Sequence, residues 1–421
     1  MKQNKNIPQL RFPEFDGEWE ERPIKNIISD ARLGGNYRNL EISKGLPLIK
    51  MGNIGRGKII LDKKYFLPEK EEYNENDILK DGDFLFNTRN TLELVGKVAI
   101  WQDELPLALY NSNLLRITFN DEIESTNRFI NYLFNTYSTI KSLRRFAIGT
   151  TSVAAIYSRD LYKLKVKFPT LPEQQKIAQF LTSVDKGIQL LNRKKEQLEL
   201  YKKGAMQKIF NREVRFKEDS GKDFPEWEEK KLGEIGAFQT SSIDKLSREN
   251  ERKVFLINYM NVYRHENINN ESVKGFQVVT AREKQIESCN LNRGDILFTP
   301  SSETPRDIGH SVVVSEDIKN AVFSYHLVRF RPVEEMDILY SHYFCNIPSV
   351  LQQLSKYATG STRFTISVGN FSKVKVPVPS IPEQQKIAQF FTALDKKIEH
   401  ATGEIEKMKE WKRGLLQKMF V

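Results

Sequence analysis

The segment LPEQQKIAQFLTSVDKGI at residues 171–188 returns almost unchanged as IPEQQKIAQFFTALDKKI at residues 381–398, with thirteen of eighteen positions identical. The second copy lies half a chain length after the first in a sequence of 421 residues, so the protein consists of one architectural unit written twice. A duplicated chain tends towards two-fold symmetry, and duplex DNA is the commonest symmetric partner of such a protein.

The repeat extends to further landmarks in each half. The matching pairs are FDGEWEERPIKNI (15–27) with FPEWEEKKLGEI (224–235), LKDGDFLF (79–86) with LNRGDILF (291–298), and FAIGTTS (146–152) with YATGSTR (357–363). Between these landmarks the two copies diverge heavily. Shared landmarks around a divergent interior predict one fold that performs two related but different tasks.

Each half is predicted to be a mixed α/β (α+β) domain followed by one long helix. Short β-branched and aromatic runs, such as VFLINYM at 254–260, predict strands bounded by Gly, Asn and Asp. Residues 128–147 and 339–358 predict helices that end at Gly149 and Gly360, because glycine is frequent at helix C-termini.

The start of each long helix carries a capping signal. Thr170 with Glu173, and Ser380 with Glu383, match the S/T-x-x-E capping box. A proline occupies the first turn of both helices, where its missing N–H costs nothing. These four residues are therefore predicted to cap the helices.

Apolar residues then follow the heptad spacing of a coiled coil, interrupted by lysines that include Lys202 and Lys412. We expect such lysines to fix register and orientation rather than to bind a ligand. Because the second domain follows the end of the first helix, the helices are predicted to pair antiparallel, with a domain at each end and pseudo-two-fold symmetry. The alternative is that each helix lies on its own domain.

These patterns predict six parts of the chain. They are an N-terminal segment (1–20) packing near the C-terminal helix, a first globular domain (21–170), a first long helix (171–212), a linker (213–226), a second globular domain (227–380) and a second long helix (381–421).

The composition favours a nucleic-acid partner. The formal net charge is +10 at pH 7, and a basic surplus attracts phosphates, although a solvated basic face gives the same charge. Two cysteines fit a reducing cytoplasm. Residues 1–10 lack the apolar stretch of a signal peptide, and no run reaches the roughly 18 apolar residues of a membrane span. We therefore expect a cytoplasmic protein with no membrane partner.

The sequence contains no motif that predicts catalysis. A glycine-rich cofactor loop and an Asn/Asp-Pro-Pro-aromatic motif, both needed by an adenine methyltransferase, do not occur. His342 and Cys345 offer only two possible zinc ligands, fewer than a zinc site requires. The chain is therefore predicted to be non-catalytic and to bind no metal and no cofactor.

Candidate DNA contacts are polar or basic residues at three places: after the GDFLF and GDILF strands, in the GTTS and GSTR segments, and in a divergent aromatic and basic stretch. They are Asn87, Arg89, Asn90, Thr150, Thr151, Tyr259, Tyr263, Arg264, Ser301, Ser302, Thr304, Arg306, Ser361 and Arg363. The alternative for these positions is an ordinary polar loop or, for GTTS and GSTR, a turn that ends a helix.

The paired PEQQKIAQF segments, each opening a long helix after an α/β domain, and the RFPEFDGEWEER opening (11–22) together resemble the specificity subunit of a type I restriction–modification system. The resemblance covers essentially the whole chain. It implies two target recognition domains, each reading one half of a bipartite asymmetric DNA site, and helices that separate them. It also implies that the helices dock two methyltransferase subunits, which join translocase–endonuclease subunits.

The resemblance further implies that the partners, not this chain, use S-adenosylmethionine, ATP and Mg, and that the protein works at the bacterial or archaeal nucleoid. A competing interpretation is a coiled-coil scaffold protein that organises protein partners without reading bases.

Overall fold

The computed structural model describes residues 6–38, 44–120, 127–150 and 152–421. The chain divides into two compact units. Unit 1 comprises residues 1–192 and 403–421, and unit 2 comprises residues 193–402. Each unit contains one mixed α/β domain and parts of both long helices.

Short strands dominate the domain of unit 1. They are β1 (Glu20–Pro23), β2 (Ile28–Leu33), β3 (Leu46–Ile49), β4 (Phe66–Leu67), β5 (Phe84–Asn87), β6 (Arg89–Asn90), β7 (Val98–Ile100), β8 (Leu109–Tyr110), β9 (Leu114–Phe119), β10 (Ile148–Gly149), β11 (Ala154–Ala155) and β12 (Lys165–Phe168). The helices are α1 (Asn127–Phe134), α2 (Tyr137–Phe146), α3 (Ser158–Leu161) and the long α4 (Leu171–Phe210), whose last part belongs to unit 2.

Unit 2 repeats this composition. Its strands are β13 (Glu228–Lys231), β14 (Gly236–Thr240), β15 (Arg252–Ile257), β16 (Gln277–Ala281), β17 (Asn290–Leu291), β18 (Ile296–Phe298), β19 (Ser301–Ser302), β20 (Ser311–Val313), β21 (Ile318–Phe323), β22 (Val328–Pro332), β23 (Phe364–Thr365) and β24 (Lys375–Val378). Its helices are α5 (Leu232–Ile235), α6 (Tyr259–Tyr263), α7 (Glu283–Ser288), α8 (Ile338–Phe344), α9 (Pro348–Tyr357), α10 (Val368–Phe371) and the long α11 (Ile381–Lys418), whose end belongs to unit 1.

The sheet topology recurs in the two units. An antiparallel sheet of order β2-β9-β5-β7 in unit 1 corresponds to β14-β22-β18-β20 in unit 2. A second sheet with one parallel pair, β4-β3-β8, corresponds to β16-β15-β21-β17. The pairs β1-β12 and β13-β24 join the beginning and end of each domain. The predicted duplication of a mixed α/β domain is confirmed.

A large apolar core in each unit lies between the four-stranded sheet, the medium-length helices and the long-helix segments. Phe84, Phe134 and Leu181 belong to this core in unit 1, and Phe298, Phe344 and Phe391 belong to it in unit 2. All residues of β5 and β18 are buried, and alternate side chains belong to different apolar clusters, so one face of each strand packs against the helices.

The helices predicted at 128–147 and 339–358 are each broken into two. Thr136 is the N-cap of α2, and its side chain accepts a hydrogen bond from the amide of Thr139. In unit 2, Pro348 stands at the start of α9, and a proline disfavours helical backbone at the preceding residue. These local signals end α1 and α8 before the apolar pattern ends.

The predicted helix-ending role of Gly149 and Gly360 is wrong, because α2 and α9 end at Phe146 and Tyr357. Gly149 has a φ of 136° and Gly360 a φ of 142°, values that favour glycine. A β-carbon on Gly149 would collide with the carbonyl oxygen of Val153. Both glycines instead allow a tight turn back into the next short strand.

The long helices pack against each other within each unit. In unit 1, Asp185 meets Lys412, and a β-carbon on Gly187 would lie 3.3 Å from the methyl group of Met408. In unit 2, Lys202 meets Asp395 and Phe210 stacks on Phe391. In both units residue numbers rise on one helix as they fall on the other, so the packed segments are antiparallel, as predicted.

The two seam lysines make the same set of contacts in the two units. Lys412 Nζ donates to Asp185 Oδ1 at 2.6 Å and lies 5.2 Å from the ring centre of Tyr132, whose hydroxyl donates to Asp185 Oδ2 at 2.7 Å. The set of Lys202, Asp395 and Tyr343 repeats this arrangement in unit 2. Each lysine thus joins two helices and a domain tyrosine, which agrees with its expected role in register.

A second repeated contact holds the first turn of each long helix. The Glu173 carboxylate is fully buried and accepts two hydrogen bonds from the Arg11 guanidinium, at 2.8 and 2.7 Å, and one from the Trp19 indole at 3.4 Å. We call this arrangement of an arginine, a glutamate and a tryptophan the clasp. The hydrogen bonds to Glu173 raise the pKa of Arg11.

The clasp of unit 2 consists of Arg215, Glu383 and Trp227. Arg215 donates to Glu383 at 3.3 and 2.9 Å, and the Trp227 indole donates to the same carboxylate at 2.8 Å. Hydrogen bonding to Glu383 also raises the pKa of Arg215. The segment predicted as a linker, 213–226, therefore supplies a contact to the helix start.

The clasp and a glutamine replace the predicted capping box. Glu173 and Glu383 direct their carboxylates to the arginines and tryptophans, and the buried Ser380 hydroxyl has no hydrogen-bond partner among the residues that the structure describes. The predicted capping by the Ser380 hydroxyl is therefore wrong, although Ser380 O accepts from the amide of Gln384. Thr170 O accepts from the amide of Gln174, and the Gln174 side chain donates to Pro169 O at 3.0 Å.

The N-terminal segment also contacts the end of α11 within unit 1. The amide of Leu10 donates to the carbonyl of Lys418 at 2.8 Å, and Trp19 packs edge-on against Phe420. In the described part of the chain, no helix combines the length and the hydropathy needed to cross a bilayer.

Candidate nucleic-acid interface

Two predicted DNA-contact segments meet in each unit. In unit 1, β6 (Arg89–Asn90) pairs with β11, which also pairs with β10. In unit 2, β19 (Ser301–Ser302) pairs with β23, and Thr359 bridges to Thr365. The residues after the GDFLF and GDILF strands thus join the GTTS and GSTR segments in small sheets. We call these small sheets the mounts.

The mounts carry different side chains in the two units. Arg89 is exposed in unit 1, and its guanidinium makes no hydrogen bond to any described residue. The neighbouring Asn90 amide oxygen accepts from the Thr91 amide at 2.8 Å. Thr150 is exposed, and its hydroxyl lies 3.1 Å from that of Ser152. Thr151 lies outside the described residues.

The prediction that Asn87 contacts DNA is wrong. Its side chain is 0% exposed, and its amide oxygen accepts a hydrogen bond from the amide of Arg89 at 3.3 Å. Asn87 is the last residue of β5, in which all four residues are buried, whereas Arg89 begins β6 and is exposed.

In unit 2 an open surface cavity of about 480 Å³ adjoins the mount. Six of the predicted contacts line it: Tyr259, Tyr263, Ser301, Ser302, Thr304 and Arg363. Met260, Glu303, Asp307 and Thr362 complete its wall. The sequence therefore identified much of this cavity from three separated segments.

Hydrogen bonds and ring stacking order this cavity. The rings of Tyr259 and Tyr263 stack with centres 5.8 Å apart, and the Tyr259 hydroxyl donates to Ser301 O at 3.0 Å. Arg363 donates to Ser301 Oγ at 3.1 Å. Burial raises the pKa of Tyr259, so its hydroxyl stays protonated and able to donate. Such preorganised aromatic and polar groups suit contact with bases or sugars.

The remaining predicted residues of unit 2 are exposed. Ser361 belongs to the turn of the mount, whereas Arg264 follows α6 and Arg306 follows the cavity residue Thr304. The guanidiniums of Arg264 and Arg306 make no hydrogen bond within the described part of the chain. They are available for phosphate or base contacts.

Two groups near these surfaces were not predicted, although Arg144 by itself suggested either a phosphate contact or a complement to the helix dipole. In unit 2, Asp307 and His310 lie beside Tyr263, with the His310 Nε2 atom 2.8 Å from Asp307 Oδ1. In unit 1, Arg56 and Arg144 both donate to the carbonyl of Glu93, at 3.3 and 3.4 Å. The aromatic and basic stretch 259–265 was the available signal for the first group, whereas nothing local linked Arg56 to Arg144.

The group in unit 1 is a cluster of three cations, Arg56, Lys97 and Arg144, with one carboxylate, Glu93, nearby. Burial, and then the neighbouring Arg144, lower the pKa of Arg56, while burial and Arg56 lower the pKa of Lys97. Cations that repel one another in this way favour an added anion, such as a phosphate. Among the described residues there is no cluster of three or more His, Cys, Asp or Glu able to hold a metal ion.

Comparisons with known proteins give a consistent result. The model for the type I restriction modification DNA specificity domain matches residues 17–200 and again residues 225–410. Two specificity subunits of Methanocaldococcus jannaschii are similar over the whole chain. The putative MjaX subunit is 26% identical, covering 98% of this chain and 95% of its own length, and the MjaVIII subunit is 24% identical, covering 98% and 93%.

Solved structures share the fold. An S subunit of a type I restriction–modification system from M. genitalium has a TM-score of 0.55 at 16% identity, covering 99% of both chains. A chain from a structure on complex assembly and conformational transition of the type I system has a TM-score of 0.58 at 16% identity, covering 96% of this chain and 97% of its own length.

Proposed function

The chain belongs to the family of type I restriction–modification DNA specificity subunits, and on that premise we propose that each target recognition domain reads one half of a bipartite, asymmetric DNA site. Specificity subunits of this family are non-catalytic DNA-binding proteins, which fits a chain without a catalytic motif. The observation that supports half-site reading is the pair of mounts. They have equivalent places in the fold and carry Arg89 with Thr150 in one unit and Ser301 with Arg363 in the other.

Within this proposal the contacts fall into two classes. The cluster of Arg56, Lys97 and Arg144 binds backbone phosphates, because lysine and arginine that neutralise phosphates supply sequence-independent affinity. Exposed polar groups on or beside the mounts, including Arg89, Arg306 and Thr304, contact base edges in the grooves. Unequal side chains at equivalent places make the two half-sites unequal in sequence.

The long helices are assigned two tasks. They set the number of base pairs between the half-sites, and they dock two methyltransferase subunits, which recruit translocase–endonuclease subunits. A similar solved structure concerns complex assembly of the type I system, which supports partner subunits of this kind. S-adenosylmethionine, ATP and Mg are then bound by the partners, and the complex acts on the nucleoid in the cytoplasm.

A domain exchange tests half-site reading. Residues 21–170 are replaced by the corresponding domain of a relative, and methylated adenines are mapped in cells that carry the chain and its methyltransferase. We expect one half-site to change while the other half-site and the gap stay the same. A change in both half-sites, or in neither, would contradict the proposal.

A pair of insertions tests the spacing role. One heptad is inserted into each long helix, and the gap between methylated half-sites is read by the same mapping. We expect a longer gap with both half-sites retained. Salt titration of DNA binding by the assembled complex addresses the scaffold alternative, because an affinity that falls steeply with salt reports phosphate neutralisation by the complex.

A further inference from the structure

Two histidines of unit 2 form a hydrogen-bonded chain that ends at the rim of the cavity. His310 Nε2 lies 2.8 Å from Asp307 Oδ1, and His310 Nδ1 lies 3.3 Å from His265 Nε2. His265 Nδ1 lies 3.2 Å from the carbonyl oxygen of Ser311. The second oxygen of Asp307 accepts from the Tyr263 hydroxyl at 3.1 Å. We call the series Asp307, His310, His265 and the Ser311 carbonyl the histidine chain.

The two ends of the histidine chain determine how many protons it holds. A carboxylate oxygen and a peptide carbonyl are both acceptors, so each end needs a proton on the adjacent ring nitrogen. The contact between His310 Nδ1 and His265 Nε2 needs one further proton, on either nitrogen. Three protons are therefore required on four ring nitrogens, whereas two neutral imidazoles carry only two. With Asp307 ionised, every contact in the chain is satisfied only when one histidine is an imidazolium.

The surroundings decide which ring is charged. Desolvation and the charges of His310 and Lys202 lower the pKa of His265, whereas its hydrogen bond to the Ser311 carbonyl raises it. We therefore assign the neutral ring to His265, which donates to Ser311 and accepts from His310. His310 then donates from both nitrogens and pairs with the ionised Asp307. His342, whose pKa is lowered by burial, and Asp395 with its partner Lys202 also lie on this side of His265. Tyr259 and Tyr263 face Asp307 from α6.

The backbone supports a fixed ring position. His265 has a φ of 53°, in the left-handed region that residues other than glycine rarely adopt. Such a conformation persists where surrounding contacts hold it, and it is typical of functional sites. The ring of Tyr263 also packs 4.7 Å from that of His310, centre to centre.

We propose that Asp307 is a specificity-determining residue of the second domain, held by a histidine chain that carries one extra proton, and that its target is an exocyclic amino group of a DNA base. This inference rests on the proposed function and deepens it. Carboxylates in DNA interfaces accept from such amines, most often that of cytosine. Each Asp307 oxygen keeps a second lone-pair direction, and its side chain is 47% exposed at the cavity.

The sign of the pH dependence follows from the charges. With the proton present, Asp307 and His310 form a neutral pair beside the DNA. When a rise in pH removes the proton, the contact between the two rings is lost, and a single negative charge, that of Asp307, remains near the phosphates. Binding at the second half-site therefore weakens as the pH rises, because the complex with DNA holds the proton more tightly than the free protein does.

The first experiment measures the protonation of the histidine chain in the absence of DNA. Long-range proton–nitrogen spectra of the full chain, labelled with ¹⁵N-histidine, are recorded at about pH 7.5, where an ordinary imidazole is mostly neutral. We expect one of the five histidines to show two protonated ring nitrogens, and this signal to disappear in His310→Gln. Detection of only neutral rings would overturn the proposal. In Asp307→Asn the same ring should become neutral, because its carboxylate partner is gone.

The second experiment measures affinity with the complex assembled from the chain and its methyltransferase. The probe is a fluorescent duplex carrying the bipartite sequence recovered by methylation mapping, at constant ionic strength between about pH 6 and pH 8.5. We expect affinity to fall by up to about tenfold as the pH rises. The fall should be absent in His310→Gln and retained in His400→Gln, which changes an exposed histidine on α11.

The outcomes separate the two proposals. Specific binding whose affinity does not change with pH, or selectivity at the second half-site that survives Asp307→Leu, which removes both acceptor oxygens, overturns the role of Asp307 and leaves half-site reading in place. Absence of any sequence-specific binding overturns both. A pH effect confined to the first half-site also contradicts the role of Asp307, since that residue belongs to the second domain.

Discussion

The helix starts and the mounts of the two units differ in how closely they repeat. The clasps use the same three residue types in both units, Arg11 with Glu173 and Trp19 as against Arg215 with Glu383 and Trp227. The mounts share a backbone arrangement but hardly a side chain. Buried charges require specific partners, whereas exposed positions on a fixed backbone are free to differ. Support and recognition are thus assigned to separate residues.

The largest effect is expected at the clasp. Glu173→Ala leaves the largely buried Arg11 without the carboxylate that it pairs with, and removal of one partner of a buried pair costs about 3–5 kcal/mol. Glu383→Ala leaves Arg215 with only the exposed carboxylate of Glu226, which compensates little. We expect a similar loss in the free energy of unfolding for both variants. Urea denaturation followed by tryptophan fluorescence measures it, because Trp19 and Trp227 lie in the clasps.

The matched control is Glu399→Gln, an exposed glutamate on α11, which should change the free energy of unfolding by less than about 0.5 kcal/mol. The double variant Arg215→Met with Glu383→Leu should recover much of the loss, since no unpaired charge stays buried. If Glu383→Ala alone were neutral, the clasp would not be the shared support of the helix starts.

A smaller and more selective effect is expected at the mounts. Arg89→Ala should weaken binding by about 1–3 kcal/mol and relax base preference only in the first half-site. Arg306→Ala should weaken binding by a similar amount and relax base preference only in the second half-site. Competition binding with duplexes altered in one half-site distinguishes the two. A uniform loss across sequences, with a shallower salt dependence, would instead assign the arginine to a phosphate.

The smallest effect is expected at the seam lysines. Lys412→Met and Lys202→Met remove partly exposed ion pairs to Asp185 and Asp395, and pairs of this kind contribute about 1 kcal/mol or less. Denaturation at low and high salt measures the difference, which should shrink at high salt. A loss above about 3 kcal/mol in either unit would show that the lysine does more than adjust register.

Much of the fold could be predicted from the sequence because the relevant patterns are local. Heptad spacing predicted the long helices, the repeat predicted the duplicated domain, and the order of domains and helices along the chain predicted the antiparallel packing. The helix breaks at Thr136 and Pro348 were missed because an apolar pattern continues across them. The clasp was missed because its partners are distant in sequence, although RF at 11–12 and again at 215–216 offered a signal.

The candidate interface could be predicted only in part, because some of its residues depend on partners that are distant in sequence. Strand alternation would place Asn87 and Arg89 on the same face, because they are two residues apart, but β5 ends at Asn87 and β6 begins at Arg89, so the alternation does not continue between them. The histidine chain brings His265 next to His310 through folding alone. Residues whose chemistry depends on such distant partners cannot be recognised from spacing.

The turn glycines of the mounts carry a practical lesson for engineering new specificities. Gly149 and Gly360 adopt backbone angles and approach neighbouring carbonyls so closely that no other residue fits. A combinatorial library should therefore randomise the tips that these turns display and keep the glycines constant. Variation of that kind would explore new target sequences while every member retained a foldable framework.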